Sequence, residues 1–137
     1  MMKSFSALLI LLFSLSTYAE VVVIVHPSNN NSFTKDEVEA LFMVKKSIYA
    51  DGSKASAYYL SADDPVRHQF DEKALNKSSS QLRAYWSKLV FTGKGTPPPE
   101  LGNSSEAVAK VAGDVNAIAY VDKAAVKDGV KVVYTLP

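Results

Sequence analysis

Residues 78–99, SSSQLRAYWSKLVFTGKGTPPP, leave this chain the least freedom in how it folds. Leu82, Tyr85, Trp86, Leu89 and Val90 recur at i, i+3, i+4, i+7 and i+8, which is one face of a 3.6-residue period. Ser78, with Gln81 three residues on, is a capping-box start. The spacing predicts an amphipathic helix carrying the chain's only tryptophan on its apolar stripe. Beyond Phe91 that helix has to stop. Gly93 and Gly95 permit positive φ, and Pro97, Pro98 and Pro99 remove donors and favour extended backbone. A buried helix therefore runs into a stiff exposed loop. Lys94, set between two glycines, is a candidate anion contact, but the GxxxxGK[ST] spacing of a phosphate-cradling loop is absent.

The start of the chain reads as a secretory leader. Lys3 precedes an apolar run from Ala7 to Leu15, and Thr17 and Ala19 supply small residues at the −3 and −1 places. The run is too short to stay in a bilayer as a helix. Cleavage after Ala19 leaves 20–137 as one domain of 118 residues, enough for a single core. The chain has no cysteine, so no lipid-anchoring thiol follows the leader and no disulfide supports the core. The expectation is a periplasmic protein with no stable membrane insertion after cleavage. Loss of Lys3 takes Lys+Arg from 15 to 14, against 14 Asp+Glu. That even balance argues against nucleic acid and against a polybasic membrane role.

Strands and helices alternate along the rest. Val21–Val25 is a continuous β-branched run that reads as a strand buried on both faces. A polar loop follows from His26 to Ser32. Thr34 with Glu37 is a second capping box, and Val38, Leu41 and Phe42 line a helix ending near Lys45. Residues 57–60 are a predicted second strand. Asp64 caps the next helix, with Pro65 at its first position and Val66, Phe70 and Ala74 on one face. After the Ser78 helix, Asn103 to Glu106 start another, with Val108, Val111 and Ala112 turned inward; 117–121 and 131–134 read as strands. The alternation predicts an α/β layer fold with a mostly parallel sheet flanked by helices.

These segments also match a family pattern. Leu41-Phe42-Met43-Val44-Lys45 followed by Tyr49-Ala50-Asp51-Gly52 is similar to an I-F-L-G-K and W-x-D-G pair, with Val44 in place of Gly and Tyr49 in place of Trp. Trp86 with Phe91-Thr92-Gly93-Lys94-Gly95 is similar to a W…F-x-G-x-G segment, and Ala117-Ile118-Ala119-Tyr120-Val121 to G-A-I-G-Y-V, with Ala119 for Gly. In order and spacing the chain resembles the phosphate-type periplasmic substrate-binding proteins, as a short single-domain member. The resemblance implies a periplasmic-binding-protein-like domain of type II over 20–137, with about one lobe's worth of chain. It also implies phosphate or a similar oxyanion as the ligand, and service to an ABC transporter or another periplasmic partner.

The family's ligand loop, R-x-D-G-S-G-T between second strand and following helix, is replaced here by Leu60-Ser61-Ala62-Asp63-Asp64-Pro65-Val66-Arg67. No glycine lets backbone N–H groups close on an anion, and the arginine comes one helical step later. A helix start still offers free donors and a positive dipole end, which Asp63 and Asp64 oppose. The candidate ligand residues are Ser28, Ser61, Asp64 and Arg67, placed together at the carboxyl edge of the sheet, where open α/β sheets hold ligands. His26, after the first strand, is expected at that same edge; a pairing with Asp64 is weighed there, and a loop histidine and a helix cap is the favoured reading of the two. Neither His26 nor His68 sits in a metal-binding spacing, and no nucleophile elbow is present, so no enzyme, metal or cofactor is expected. Two functions follow. One is an exported oxyanion-binding module of low affinity. The other is a binding-protein fold without a small ligand that acts through a protein contact.

Overall fold

The computed structural model describes residues 19–137; the expected leader, apart from Ala19, lies outside them. Five strands form one sheet: β1 (Val21–Val25), β2 (Ser56–Leu60), β3 (Glu100–Leu101), β4 (Ala117–Asp122) and β5 (Lys131–Thr135), in the order β3-β2-β4-β1-β5. Four helices accompany them: α1 (Lys35–Phe42), α2 (Pro65–Lys73), α3 (Ser79–Phe91) and α4 (Ser104–Ala112). A single 3-10 turn, Lys123–Ala125, follows β4.

The helix starts are set by the capping chemistry that the sequence carries. Thr34 and Ser78 each accept from the N–H of the residue three places on, and Glu37 and Gln81 return the bond to the cap backbone. Asp64 caps α2 ahead of Pro65, and Asn103 caps α4.

The α/β fold with helices flanking a mostly parallel sheet is as expected, with one strand reversed. β2 runs parallel to β3 and to β4, whereas β1 pairs antiparallel with both β4 and β5. Four strands thus point one way, and β1, in their midst, points the other. A strand buried on both faces shows the same continuous apolar run in either direction, so Val21–Val25 carried no sign of its reversal.

Side chains alternate across β2 and divide the layers. Tyr59 faces α1, α2 and α3. It lies 6.3 Å from Phe42 and 6.1 Å from Trp86 between ring centres, and Phe70 of α2 stacks on Tyr120 of β4 at 3.9 Å. Tyr58 faces the other way, under the ammonium of Lys110 from α4. Tyrosine hydroxyls tie this core to the main chain. Tyr59 and Tyr85 donate to the carbonyls of Phe42 and Met43 at the end of α1, at 2.6 and 2.8 Å. The oxygen of Tyr120 accepts from the N–H of Leu60 at 3.0 Å. Just after α1, Val44 adopts φ 55°, a left-handed conformation unusual for a β-branched residue. The position where the family pattern has glycine is one whose backbone calls for it. Among the described residues no helix is long and apolar enough to cross a membrane.

Candidate functional site

The reversal of β1 separates the expected ligand residues. Val25 is level with Ile118, and Ile118 with Ala57 near the start of β2. His26 and Ser28 therefore leave the sheet at the edge where β2 and β4 begin. Ser61, Asp64 and Arg67 leave it at the opposite edge, where β2 ends. His26 and Asp64 do not meet: they are a loop histidine and a helix cap, the favoured reading. Ser28 instead turns back on His26, with its hydroxyl 2.7 Å from Nδ1 and its own N–H donating to that nitrogen at 3.1 Å. The site reduces to Ser61, Asp64 and Arg67.

Two helices begin at that carboxyl edge, α2 after β2 and α4 after β3. Their free donors are the natural place for an anion, but the chain's own side chains occupy them. Asp64 Oδ1 accepts from Val66 N–H at 2.8 Å. Asn103 accepts from Glu106 N–H, and the Glu106 carboxylate turns back to the N–H of Gly102 at 2.6 Å. Ser61 donates its N–H to the carbonyl of Leu101, and its own carbonyl accepts from the N–H of Asp64, so the loop is closed by its own backbone.

Arg67 is held just as firmly. Its Nη1 donates to the carbonyl of Leu60 at 3.1 Å and to Glu100 Oε1 at 2.6 Å. Its Nε faces Asp71 Oδ2 at 3.5 Å, one turn further along α2, and the guanidinium lies 5.0 Å from the ring centre of Tyr59. Asp71 is 4% exposed, and its Oδ1 has no partner. Burial pushes its carboxyl up to about 6 against the opposing pull of Arg67.

Beside this network lies the main concavity, a groove of about 750 Å³ between α2, α3 and the proline segment. Tyr59, Leu82 and Trp86 line it together with Arg67 and Asp71, and Val90, Phe91, Pro97 and Pro98 form its outer side. Trp86 lies on the buried stripe as expected, 8% exposed, with its Nε1 unpartnered. Val90, expected on the same stripe, is 54% exposed, at the margin of the helix face that Leu82 and Trp86 bury. The Arg67–Asp71 pair has a legible i,i+4 spacing. Glu100, 33 residues from Arg67, left no local sign.

No protein-family model matches the chain, and no curated protein matches it. Solved structures do. An ABC-type phosphate transport receptor from Vibrio cholerae superposes with a TM-score of 0.66 at 12% identity, over 83% of this chain and 45% of the other. A putative phosphate ABC transporter substrate-binding protein from Clostridium perfringens, with bound phosphate, gives 0.67 at 17% over 83% and 44%. PstS from Borrelia burgdorferi gives 0.63 at 10% over 83% and 46%. The chain thus spans less than half the length of these neighbours, and at such identities the likeness is one of fold. This protein has the periplasmic-binding-protein fold of the phosphate-type substrate-binding proteins.

Proposed function

We propose that the protein is an exported, phosphate-type substrate-binding module that takes phosphate or a similar oxyanion weakly and serves an ABC-type transport or sensing system in the periplasm. The observation that carries this reading is positional. α2 starts at the carboxyl end of β2 in a fold shared with phosphate-binding proteins, and Ser61, the first turn of α2 and Arg67 meet there. The local charges set the strength. Asp64 already caps the helix, Arg67 is committed to Glu100 and Asp71, and Asp63 stands exposed beside them. A dissociation constant of roughly 0.1 mM or weaker follows, about −5 kcal/mol.

Calorimetry with phosphate on the wild type and on Asp63→Asn tests the reading. Removing one repelling carboxylate tightens binding. Absence of heat from both proteins at about 0.5 mM refutes the oxyanion site. A second reading is favoured by the same closed hydrogen bonds. With the α2 donors and the Arg67 guanidinium satisfied internally, the fold acts instead through contact with another protein.

A further inference from the structure

We propose that Glu100 is a built-in competitor for the oxyanion: its carboxylate fills the edge of the Arg67 guanidinium that a bound anion needs, and its displacement sets the affinity. This role deepens the oxyanion reading above and rests on it.

The backbone at the start of α2 has nothing left to give. Pro65 has no N–H, Val66 donates to the Asp64 carboxylate, and the N–H groups of Arg67 and His68 go to the Asp64 carbonyl. Across the edge, the N–H of Ser61 goes to Leu101 and that of Gly102 to Glu106. The charged donor beside this turn is the Arg67 guanidinium, and its bonds decide what it still offers.

Arginine holds an oxyanion best with two N–H groups along one edge of its fork. One face of the Arg67 fork lies against Tyr59, 5.0 Å from the ring centre. Nε faces Asp71 Oδ2. Nη1 uses both of its hydrogens, one on the carbonyl of Leu60 and one on Glu100 Oε1. Nη2 has no hydrogen-bond partner among the described residues, yet it is not one of the sealed polar atoms that lack one. It therefore opens on the groove that Arg67 and Glu100 both line. Each two-donor edge thus pairs Nη2 with a nitrogen already held by a carboxylate, Asp71 at one edge and Glu100 at the other.

Of these two acids only Glu100 is free to leave. The Asp71 side chain is 6% exposed and that of Arg67 13%, whereas that of Glu100 is 53% exposed. Parting Asp71 from Arg67 strands a charge in the interior; Glu100 rotates into water, which hydrates it. Its strand β3 stays in place meanwhile. β3 is held by main-chain bonds, from Tyr59 N–H to the Pro99 carbonyl and from Ser61 N–H to the Leu101 carbonyl. The freed Nη1–Nη2 edge then faces an oxyanion arriving through the groove.

Calorimetry with inorganic phosphate on the wild type, Glu100→Ala and Glu100→Gln tests the role; the glutamine variant keeps the side chain's shape should the alanine variant fold poorly. Both variants are expected to bind more tightly than wild type, Glu100→Ala by at least about tenfold. Arg67 and Arg83 are the two arginines of the chain, so their side-chain Nε–H signals are easily told apart in ¹⁵N-labelled protein. Phosphate is expected to move the Arg67 signal and leave that of Arg83. Heat from the wild type and Asp63→Asn without tightening in either Glu100 variant overturns the role of Glu100 and leaves the oxyanion reading standing. Absence of heat from all four proteins, with the Arg67 signal unmoved, overturns both. Tightening with the Arg67 signal unmoved shows that Glu100 acts only as a distant charge, which overturns the displacement.

Discussion

Replacing Asp71 by asparagine isolates the energetic consequence of the buried carboxylate beneath Arg67. In the folded chain, burial raises this group from 3.8 to about 6. The folded state therefore holds the proton more tightly than the unfolded chain between those two values. Linkage then fixes the direction: the contribution of Asp71 is fully favourable below about pH 4 and is lost as the pH rises through about 6. At 1.36 kcal/mol for each tenfold change, the shift corresponds to about 3 kcal/mol lost at pH 7. Asparagine keeps the shape and one acceptor for Arg67 Nε and has no charge to desolvate. Asp71→Asn should match the wild type near pH 3.5, exceed it by about 1 kcal/mol at pH 4.5 and by about 2–3 kcal/mol at pH 7.5. Urea titrations at half-unit pH steps, fitted with a common slope, measure the difference curve. A flat difference, or a variant less stable than wild type at pH 7.5, would show that the ion pair with Arg67 outweighs burial and would refute the reasoning.

Trp86→Ala should cost about 3–5 kcal/mol by urea denaturation followed with circular dichroism, and a loss under about 1 kcal/mol would place the indole outside the core. Val44→Gly relieves a left-handed β-branched residue and should change stability by less than about 1 kcal/mol in urea titrations; a loss of about 2 kcal/mol or more would mean that Val44 is not strained. Export with cleavage after Ala19 predicts Glu20 as the first residue found by mass spectrometry of periplasmic protein; full-length chain beginning at Met1 in the cytosol would contradict it.

What could be read in advance was whatever rests on near neighbours in sequence. Thr34 with Glu37, Ser78 with Gln81, and Asp64 before Pro65 each start a helix where the residues say, because capping is a contact across two or three positions. Trp86 was legible for the same reason, as part of a helical stripe. The candidate site was less so. The sequence alone groups Ser28 with Ser61 and Arg67, because strand direction is a property of the whole sheet and a uniformly apolar strand does not encode it. The fate of Arg67 was hidden as well, since Glu100 and the carbonyl of Leu60 reach it only after β2 and β3 pair. The exposure of Phe91 is legible from the periodicity, which puts it opposite Leu82, while Val90 falls at the margin of the stripe, where a list of apolar positions does not separate buried from exposed.

The reversed strand also bears on the order in which the molecule can assemble. β1 is made first and then finds partners only in β4 and β5, more than 90 residues later in the chain. Until those residues have been synthesised, five consecutive β-branched residues have no sheet to join, and closing so long a loop must precede any gain from the pairing. Folding of this domain is therefore a late event that needs almost its whole length. A chain of that kind stays open through most of its synthesis and closes its sheet only when its last strand arrives.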